Sequence, residues 1–269
     1  MIVEGPLRTF FVAVAWATYV FLLAPIVVVV VASFTAAEFV SFPPKGFSIR
    51  WYLEIGRHSD FLQSALLSLG LAALTAIGSC VIAIPAAIAL VRYRFPGRSF
   101  LSALFLSPLM LPSVVIGIAL LQFASRFGLL GNPVLLWLAH LVIAAPYCLR
   151  LTMASLTGFD RNLERAARNL GATRWQAFRR VMLPLIAPGV TAGAAFAFIV
   201  SFDDLVVSLF LSSPTLTTLP VRIYNYIDQS SSPMITAVGA LLVLVAVAIV
   251  VLIDRLVGIE RVFRASHAR

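Results

Sequence analysis

Six stretches of this sequence contain no Asp, Glu, Lys or Arg and are long enough to cross a lipid bilayer. They cover residues 9–37, 61–91, 99–125, 127–149, 181–202 and 229–253. A helix of roughly 18–20 apolar residues spans the hydrocarbon core. The next longest stretch, 205–221, contains Pro214 and Pro220 and is interpreted as an outer loop after a helix end. The pattern predicts one all-α integral membrane domain, residues 1–269, with six transmembrane helices at about 9–34, 61–91, 100–124, 134–156, 184–212 and 233–256.

The composition excludes the main alternatives to a membrane protein. Hydrophobic residues make up 61% of the chain and charged residues 12%, against roughly 45–50% and about 25% in soluble domains. A mean hydropathy of +1.01 leaves too little polar surface to cover a soluble globule. The first window is also longer than the roughly 7–15 apolar residues of a signal peptide, so we expect it to be kept as a membrane anchor.

No group of residues in the sequence indicates catalysis or a bound metal. Cys80 and Cys148 lie in apolar runs and are interpreted as small core residues. The three histidines, His58, His140 and His267, have no metal-ligand spacing between them. The sequence also contains no Gly-rich phosphate loop and no nucleophile motif. We therefore expect no metal, no cofactor and no enzymatic activity in this chain.

The basic residues predict which side of the membrane each loop faces. Fifteen of the 20 lie in the N-terminus, the 92–98 loop, the 150–180 segment and the C-terminal tail. The intervening loops hold the other five: Lys45, Arg50, Arg57, Arg126 and Arg222. Because basic residues accumulate on the cytoplasmic side, both termini are predicted to be cytoplasmic. The net charge of +9 is thus a topology signal, and no nucleic-acid partner is expected.

A short amphipathic segment follows the first window. In residues 47–60, Trp51, Tyr52 and Ile55 can share one face of a helix, while charged residues lie on the others. We predict a short helix at the outer membrane interface, anchored by its aromatic side chains. A loop held down by the same aromatic residues is the alternative.

The segment 157–183 is the longest predicted cytoplasmic connection and the most charged part of the chain. Leu163, Ala167 and Leu170 make one apolar stripe of a helix that Gly171 is expected to end. Thr173 can then cap a second helix, which runs towards Pro184. From the residues alone, the segment is either a docking element for another protein or a basic loop that binds anionic lipid.

This segment resembles the EAA motif of ABC importer permeases. That motif is E-A-A, three residues, Gly, nine residues, then an aliphatic residue, any residue and Leu-Pro. The residues at matching spacings are Ala166, Ala167, Gly171, Val181, Leu183 and Pro184. Arg165 stands at the Glu position, with Glu164 one residue earlier. With Arg165 at this position, any salt bridge that the family's Glu makes is not expected here, but the docking role still is.

Other segments extend the resemblance along most of the chain. They are Ser-Ile-Arg-Trp-Tyr at 48–52, Pro108 to Leu120, His140 through Pro146 to Arg150, Ser-Phe-Asp-Asp at 201–204, Thr-Leu-Pro at 218–220 and Ile-Tyr at 223–224. These segments are similar to polyamine permeases, most closely to the second permease of spermidine/putrescine importers. They also occur in permeases for other small solutes.

The resemblance implies a type I ABC importer permease fold in a bacterial inner membrane. It implies a sister permease, a dimer of ATPase subunits and an extracytoplasmic solute-binding protein as partners. It implies that 157–183 is a coupling loop whose ATPase-contacting residues are Leu163, Glu164, Ala166, Ala167, Leu170, Gly171, Leu183 and Pro184. The chain has no Walker motif, so ATP hydrolysis is expected in the partner subunits.

Two adjacent acids, Asp203 and Asp204, interrupt the fifth apolar region. Counted from Pro184 at 1.5 Å per residue, they lie roughly 28–30 Å along the helix, near the outer interface. They are candidates for a cation pathway, with Asp204 as the first choice. A solvated helix end and a contact with the sister permease are the alternatives. Because adjacent positions differ by about 100° around a helix, at most one acid can point squarely into a central pore.

The sequence as a whole therefore predicts a permease subunit for a polyamine or a similar small cationic solute. A permease of the same class for another small solute is the first alternative. A proton-coupled secondary transporter is the second, but it would favour acids at the membrane midplane and inverted repeats.

Overall fold

The computed structural model of the chain describes residues 6–57, 59–229 and 232–257. Every regular element in these ranges is helical, apart from two isolated β-bridges. The α-helices in chain order are α1 (Pro6–Ala32), α2 (Arg50–Arg57), α3 (Ser59–Arg92), α4 (Arg98–Leu106), α5 (Ser113–Arg126), α6 (Pro133–Thr157), α7 (Arg161–Asn169), α8 (Arg174–Ala177), α9 (Leu183–Phe202), α10 (Val206–Leu211), α11 (Leu219–Gln229) and α12 (Met234–Val257). The chain divides into two compact units, one with residues up to 62 and 223–252, the other with 63–222 and the chain from 253 on.

Four helical segments of the described chain are long and apolar enough to cross a membrane. α1, α3 and α6 provide three of them, and the fourth runs from Arg174 to the end of α9. α4 and α5 together pass the same test, but they are bent by 99° at the break between them. In α12 the apolar stretch with described side chains, Met234–Ala248, is shorter than a span. The all-α membrane architecture is confirmed, and the count of six spans stays a prediction.

The third predicted span, 100–124, is two helices instead of one. α4 ends at Leu106, a 3-10 turn covers Ser107–Leu109, and α5 begins only at Ser113. A proline lacks the backbone N–H and disfavours helical geometry in the residue before it. Pro112 itself has a ψ of 131°, which is outside the helical range. The prolines of this window therefore end α4 and produce the 99° bend.

The fifth predicted span, 184–212, is also interrupted, and the interruption lies at the acid pair. α9 ends at Phe202 and α10 begins at Val206. The Asp204 carboxylate accepts hydrogen bonds from the backbone N–H groups of Val207 at 3.4 Å and Ser208 at 2.8 Å. Aspartate competes in this way for N–H groups that would otherwise bond within a continuing helix. A continuous helix through 184–212 is thus corrected to two helices.

In the unit that contains α1 and α2, aromatic side chains attach α2 to the end of α1. The Trp51 Nε1–H donates to the Thr35 carbonyl at 2.9 Å, and Trp51 is buried. The Tyr52 hydroxyl lies 2.6 Å from the Ser33 Oγ. The short helix predicted within 47–60 is therefore present, but two of its expected membrane anchors bind the protein itself.

In the unit of residues 63–222, α6 and α9 approach closely because small residues line the crossing. Four buried residues repeat at every fourth position of α9: Gly189, Gly193, Ala197 and Ser201. A Cβ atom added to Gly193 would lie 2.9 Å from the Cα of Cys148 on α6. Small residues at this spacing let membrane helices pack backbone to backbone, so that dispersion contacts hold the pair. This close contact holds α9 in a fixed position against α6.

Candidate functional site

The segment 157–183 contains a helix whose end agrees with the prediction. Gly171 has a φ of +89°, a left-handed conformation that costs glycine little. Its N–H donates to the Arg168 carbonyl at 3.0 Å, and the Ala172 N–H donates to the Ala167 carbonyl at 3.1 Å. These paired bonds form a Schellman motif, which satisfies the last carbonyls of α7. The chain therefore turns sharply at Gly171 and leaves the α7 axis.

Thr173 begins a helical path that continues directly into α9. Its Oγ1 accepts from the Gln176 N–H, and the Gln176 side chain accepts from the Thr173 N–H, which is a capping box. α8 then leads through a π-helical turn, Phe178–Met182, into α9. The path from Arg174 to Phe202 is 29 residues long. Because the path is continuous, a displacement of α8 moves the start of α9 with it.

Large apolar side chains on this segment are not covered by the rest of the chain. Leu170 is 90% exposed, Trp175 65% and Leu163 47%. Arg165 and Arg168 are exposed close by in sequence. Uncovered apolar side chains among arginines are typical of a protein interface. We call Leu163, Leu170 and Trp175 the docking surface.

A salt bridge holds α7 against the end of α3. The Arg92 Nη1–H donates to the Glu164 carboxylate, and both side chains are largely buried. The Arg92 guanidinium also lies 5.0 Å from the centroid of the Phe159 ring. Arg161 adds a bond from its Nη2 to the Val91 carbonyl at 3.5 Å. We call the Arg92–Glu164 pair the clamp; it ties the segment to this chain's own helix α3.

The remaining residues of the EAA-like motif divide between the surface and the interior. Ala166 and Arg165 are exposed, and Ala167 is half-buried. Leu183 packs against a buried cluster between α3, α6 and α9. Pro184 is exposed at the start of α9 and has no backbone N–H to donate to the preceding turn. Glu164 turns inward while Arg165 faces out, so the acid one residue early has a partner within this chain.

The two acids at the end of α9 lie in different environments. Asp203 is the C-cap of α9 and is exposed. The Asp204 side chain is only 8% exposed. Besides the two backbone N–H groups already described, its carboxylate accepts from the Ser208 Oγ at 3.0 Å. Asp203 is therefore the exposed acid of the pair, whereas Asp204 bonds to the first turn of α10.

A buried histidine completes the bonding around Asp204. His140, on α6, is 0% exposed. Its Nδ1 lies 2.8 Å from the Ser201 Oγ, and its Nε2 lies 3.1 Å from the Ser208 Oγ and 4.0 Å from the Asp204 carboxylate. We call these four residues the histidine network. Within the described residues, no three His, Cys, Asp or Glu side chains are grouped to hold a metal ion.

Sequence reasoning missed the docking role suggested for Trp175 and three members of the histidine network. Ser201 carried one usable signal, because it continues the fourth-residue repeat of small residues that starts at Gly189. His140 carried none, since 61 residues separate it from Ser201. Trp175 has an apolar neighbour at helical spacing, Phe178, but its 65% exposure is visible only in the fold.

The sequence matches a known protein family over the part that contains both candidate sites. Residues 79–259 match the family described as "binding-protein-dependent transport system inner membrane component". The chain belongs to this family. The clamp, the docking surface and the histidine network all lie inside the matched range. The predicted membership in the ABC importer permeases is confirmed, and it places the chain among transport permeases of the inner membrane.

Several relatives cover most of the chain. It is 33% identical over 238 residues to the spermidine/putrescine transport system permease protein PotC of Escherichia coli K12, covering 87% of this chain and 89% of that protein. It is 35% identical over 239 residues to the putrescine transport system permease protein PotI of the same strain, covering 86% and 84%. The molybdenum transport system permease protein ModB, also of that strain, is 36% identical over 182 residues, covering 62% and 80%.

Solved transporters share the fold. A bacterial ABC transporter involved in the import of the acidic polysaccharide alginate aligns with a TM-score of 0.73 at 17% identity, covering 93% of this chain and 94% of that chain. The MetNI methionine ABC transporter, in inward-facing conformations, aligns with a TM-score of 0.59 at 22% identity, covering 73% and 94%. The predicted permease fold is therefore confirmed.

Proposed function

We propose that this chain is a permease subunit of an ABC importer for spermidine, putrescine or a similar small polyamine. With a sister permease it forms the pathway across the inner membrane. A dimer of ATPase subunits binds the docking surface from the cytoplasm, and an extracytoplasmic binding protein delivers the solute. ATP hydrolysis takes place in those ATPase subunits, and this chain has no catalytic role.

The observation that carries the proposal is the continuous helical path between the two candidate sites. One end bears Trp175, which is 65% exposed on the docking surface. The other end is Phe202, immediately before the exposed acid Asp203. A rigid helix that joins a protein interface to a solute-facing charge can transmit displacement from one to the other. The clamp adds a second connection, because it ties α7 to α3.

The charge at the end of α9 favours a cation over an anion. Asp203 is exposed and can replace part of the hydration that a polyamine loses, through charge-assisted hydrogen bonds. The same carboxylate repels an oxyanion such as molybdate. The alignment with this chain also covers 84–89% of the relatives named for spermidine and putrescine, against 80% of the molybdenum permease.

The orientation follows from the arginines, 15 of which lie in the segments predicted to face the cytoplasm. This orientation puts both termini and the docking surface on the side where ATP is available. Asp203 then lies on the opposite side, where a binding protein presents the solute.

Uptake by the complete transporter tests the substrate. The chain is expressed with its partner subunits and binding protein, reconstituted into liposomes, and supplied with labelled putrescine or spermidine. We expect ATP-dependent uptake that excess unlabelled polyamine inhibits and excess molybdate does not. Molybdate uptake by the same complex, with no polyamine uptake, would replace the polyamine assignment with an oxyanion one. Uptake driven by a proton gradient without ATP would reject the importer class.

A further inference from the structure

His140 bonds to helices on both sides of the break between α9 and α10. Its Nδ1 contacts Ser201, near the end of α9, at 2.8 Å. Its Nε2 contacts Ser208, in α10, at 3.1 Å. The imidazole is 0% exposed and projects from α6, which the glycine crossing packs against α9. One side chain on a fixed helix therefore connects the two segments that the acid pair separates.

The carboxylate of Asp204 determines which atoms of this network donate. A carboxylate only accepts, so the Ser208 hydroxyl donates its hydrogen to Asp204 across 3.0 Å. The Ser208 Oγ can then only accept from His140, which assigns the hydrogen to Nε2. In the neutral imidazole Nδ1 is then the acceptor, so the Ser201 hydroxyl donates to it. Donation thus runs in one direction, from Ser201 through His140 and Ser208 to Asp204, and each contact is satisfied.

We propose that His140 is a positioning residue, which holds Asp204 inside the protein and thereby keeps the adjacent Asp203 on the solute pathway. The proposal rests on the function proposed above, in which Asp203 meets the polyamine. Burial of polar groups is costly unless their bonds are made, so the network has one satisfied arrangement. When the imidazole is lost, Ser208 loses its donor, and α10 and the acid pair can shift to recover bonds.

Two polar substitutions each keep one of the two hydrogen bonds of the imidazole and remove the other. The side-chain amide of Gln reaches the position of Nε2, and that of Asn reaches the position of Nδ1. His140→Gln therefore keeps the bond towards Ser208 and Asp204, whereas His140→Asn keeps the bond to Ser201 alone. His140→Leu keeps neither and preserves approximate volume. If positioning of the acid pair is the role of His140, the Gln variant should function and the Asn variant should not.

The first measurement is polyamine uptake by the complete transporter with each variant. We expect His140→Gln to transport within a few-fold of the natural chain. We expect His140→Asn and His140→Leu to require a solute concentration about tenfold higher for half-maximal uptake, the scale of one lost buried hydrogen bond. Co-purification of the ATPase subunits should be equal for all three. Equal loss of activity with Gln and Asn, or a loss of assembly in both, would overturn the positioning role.

The second measurement reports the position of residue 203 without relying on transport. Asp203→Cys is introduced into a chain with Cys80→Ala and Cys148→Ala, and its reaction rate with an impermeant cationic thiol reagent is measured in the assembled complex. Ser125→Cys, at an exposed site near the end of α5, is the reference. We expect His140→Leu to change the rate at 203 by about tenfold, the same scale as above, and to leave the rate at 125 unchanged. An unchanged rate at 203 would overturn the inference.

The two proposals fail separately. If Asp203→Asn imports polyamine normally, the pathway role of Asp203 is wrong, and the positioning of residue 203 by His140 is still decided by the labelling rate. If Asp203→Asn blocks import but His140→Leu leaves the labelling rate at residue 203 unchanged, the pathway role of Asp203 stands and the positioning role of His140 is rejected.

Discussion

Asp203 and Asp204 are adjacent, yet the fold gives them different tasks. Asp204 accepts three hydrogen bonds and is 8% exposed, so its carboxylate is stabilised by donors inside the protein. Asp203 is exposed, and its charge is available to a solute. We therefore propose Asp203 as the acid of the solute pathway, in place of Asp204, which is the first choice from the sequence.

Substitution of each acid by Asn separates these tasks. We expect Asp203→Asn to lower polyamine uptake by about tenfold while assembly stays normal, because one charge-assisted contact is lost. We expect Asp204→Asn to lower the stability of the chain by about 1.5–3 kcal/mol, because an amide replaces a charged acceptor of backbone N–H groups. Uptake assays and melting of the purified complex measure the two effects. A stable Asp204→Asn complex with uptake below that of Asp203→Asn would reverse the assignment.

The clamp is expected to transmit motion from α7 to α3. Glu164→Arg should place two like charges together and lower uptake by about tenfold, while ATP hydrolysis continues. Combining it with Arg92→Glu restores opposite charges, so the double variant should recover part of the lost uptake. Recovery stays incomplete because the contact between Arg92 and the Phe159 ring is lost.

Arg94→Glu is the matched control for the clamp. Arg94 lies two residues beyond Arg92 and is exposed, so Arg94→Glu makes the charge change of Arg92→Glu outside the pair. We expect its uptake to stay near normal. The measured quantity is solute imported per ATP hydrolysed in reconstituted liposomes. If the double variant is no better than Glu164→Arg alone, the pair does not transmit motion.

At the scale of elements, two local geometries control how the helices meet. The turn at Gly171 directs the chain from α7 into the path that becomes α9. The crossing at Gly193 holds α9 against α6 at backbone distance. We propose that the turn at Gly171 serves coupling and that the crossing at Gly193 stabilises the fold, so substitutions at the two positions should have distinct effects.

Gly171→Pro should uncouple transport. Proline fixes φ near −65°, which is incompatible with the observed +89°. We expect the variant to insert normally, because no apolar segment is changed, but to lose most ATP-dependent uptake, because the two parts of the docking surface on either side of the turn no longer keep their relative positions. Gly97→Pro is the control, since Gly97 has a φ of +81° in another loop that is predicted to be cytoplasmic. Equal uptake by the two variants would remove the special role of the turn at 171.

Gly193→Ala should destabilise the chain without any change of charge. The added methyl group would lie 2.9 Å from the Cα of Cys148, so the helices must separate. We expect a loss of about 1–3 kcal/mol, typical of overpacking. Gly70→Ala in α3 is the control, because its methyl group would meet no atom within 4 Å. Melting temperatures of the two variants in detergent provide the comparison, and a Gly193→Ala chain as stable as Gly70→Ala would argue against the close crossing.

The features predictable from the sequence are those set by near neighbours. Gly171 and Thr173 were identified as helix ends because cap bonds join residues a few positions apart. The histidine network was not predictable, because its bonds join Ser201 to a residue 61 positions away. The break in the third window was missed for a different reason. Prolines in membrane helices are common, and the sequence does not say which of them end a helix.

At the scale of the whole molecule, the bent pair α4–α5 decides the membrane topology. If the pair crosses the membrane, it contributes one span, and the predicted positions of all later loops hold. If it enters and leaves on one side, the later segments are inverted relative to the arginine count. The 99° bend is compatible with a broken span and with a re-entrant loop.

Two conservative substitutions at the ends of this pair distinguish the two topologies. Ser99 and Ser125 are both exposed, one in the first turn of α4 and one near the end of α5. Each is replaced by Cys in a chain with Cys80→Ala and Cys148→Ala, and an impermeant thiol reagent is applied to intact cells. We expect Ser125→Cys to react from outside and Ser99→Cys to react only after the membrane is permeabilised. This pattern puts Arg92, Arg94 and Arg98 in the cytoplasm, where basic residues are retained. Reaction of both cysteines from the same side would make the pair re-entrant. The predicted spans would then number five, and the two termini could no longer share one side of the membrane.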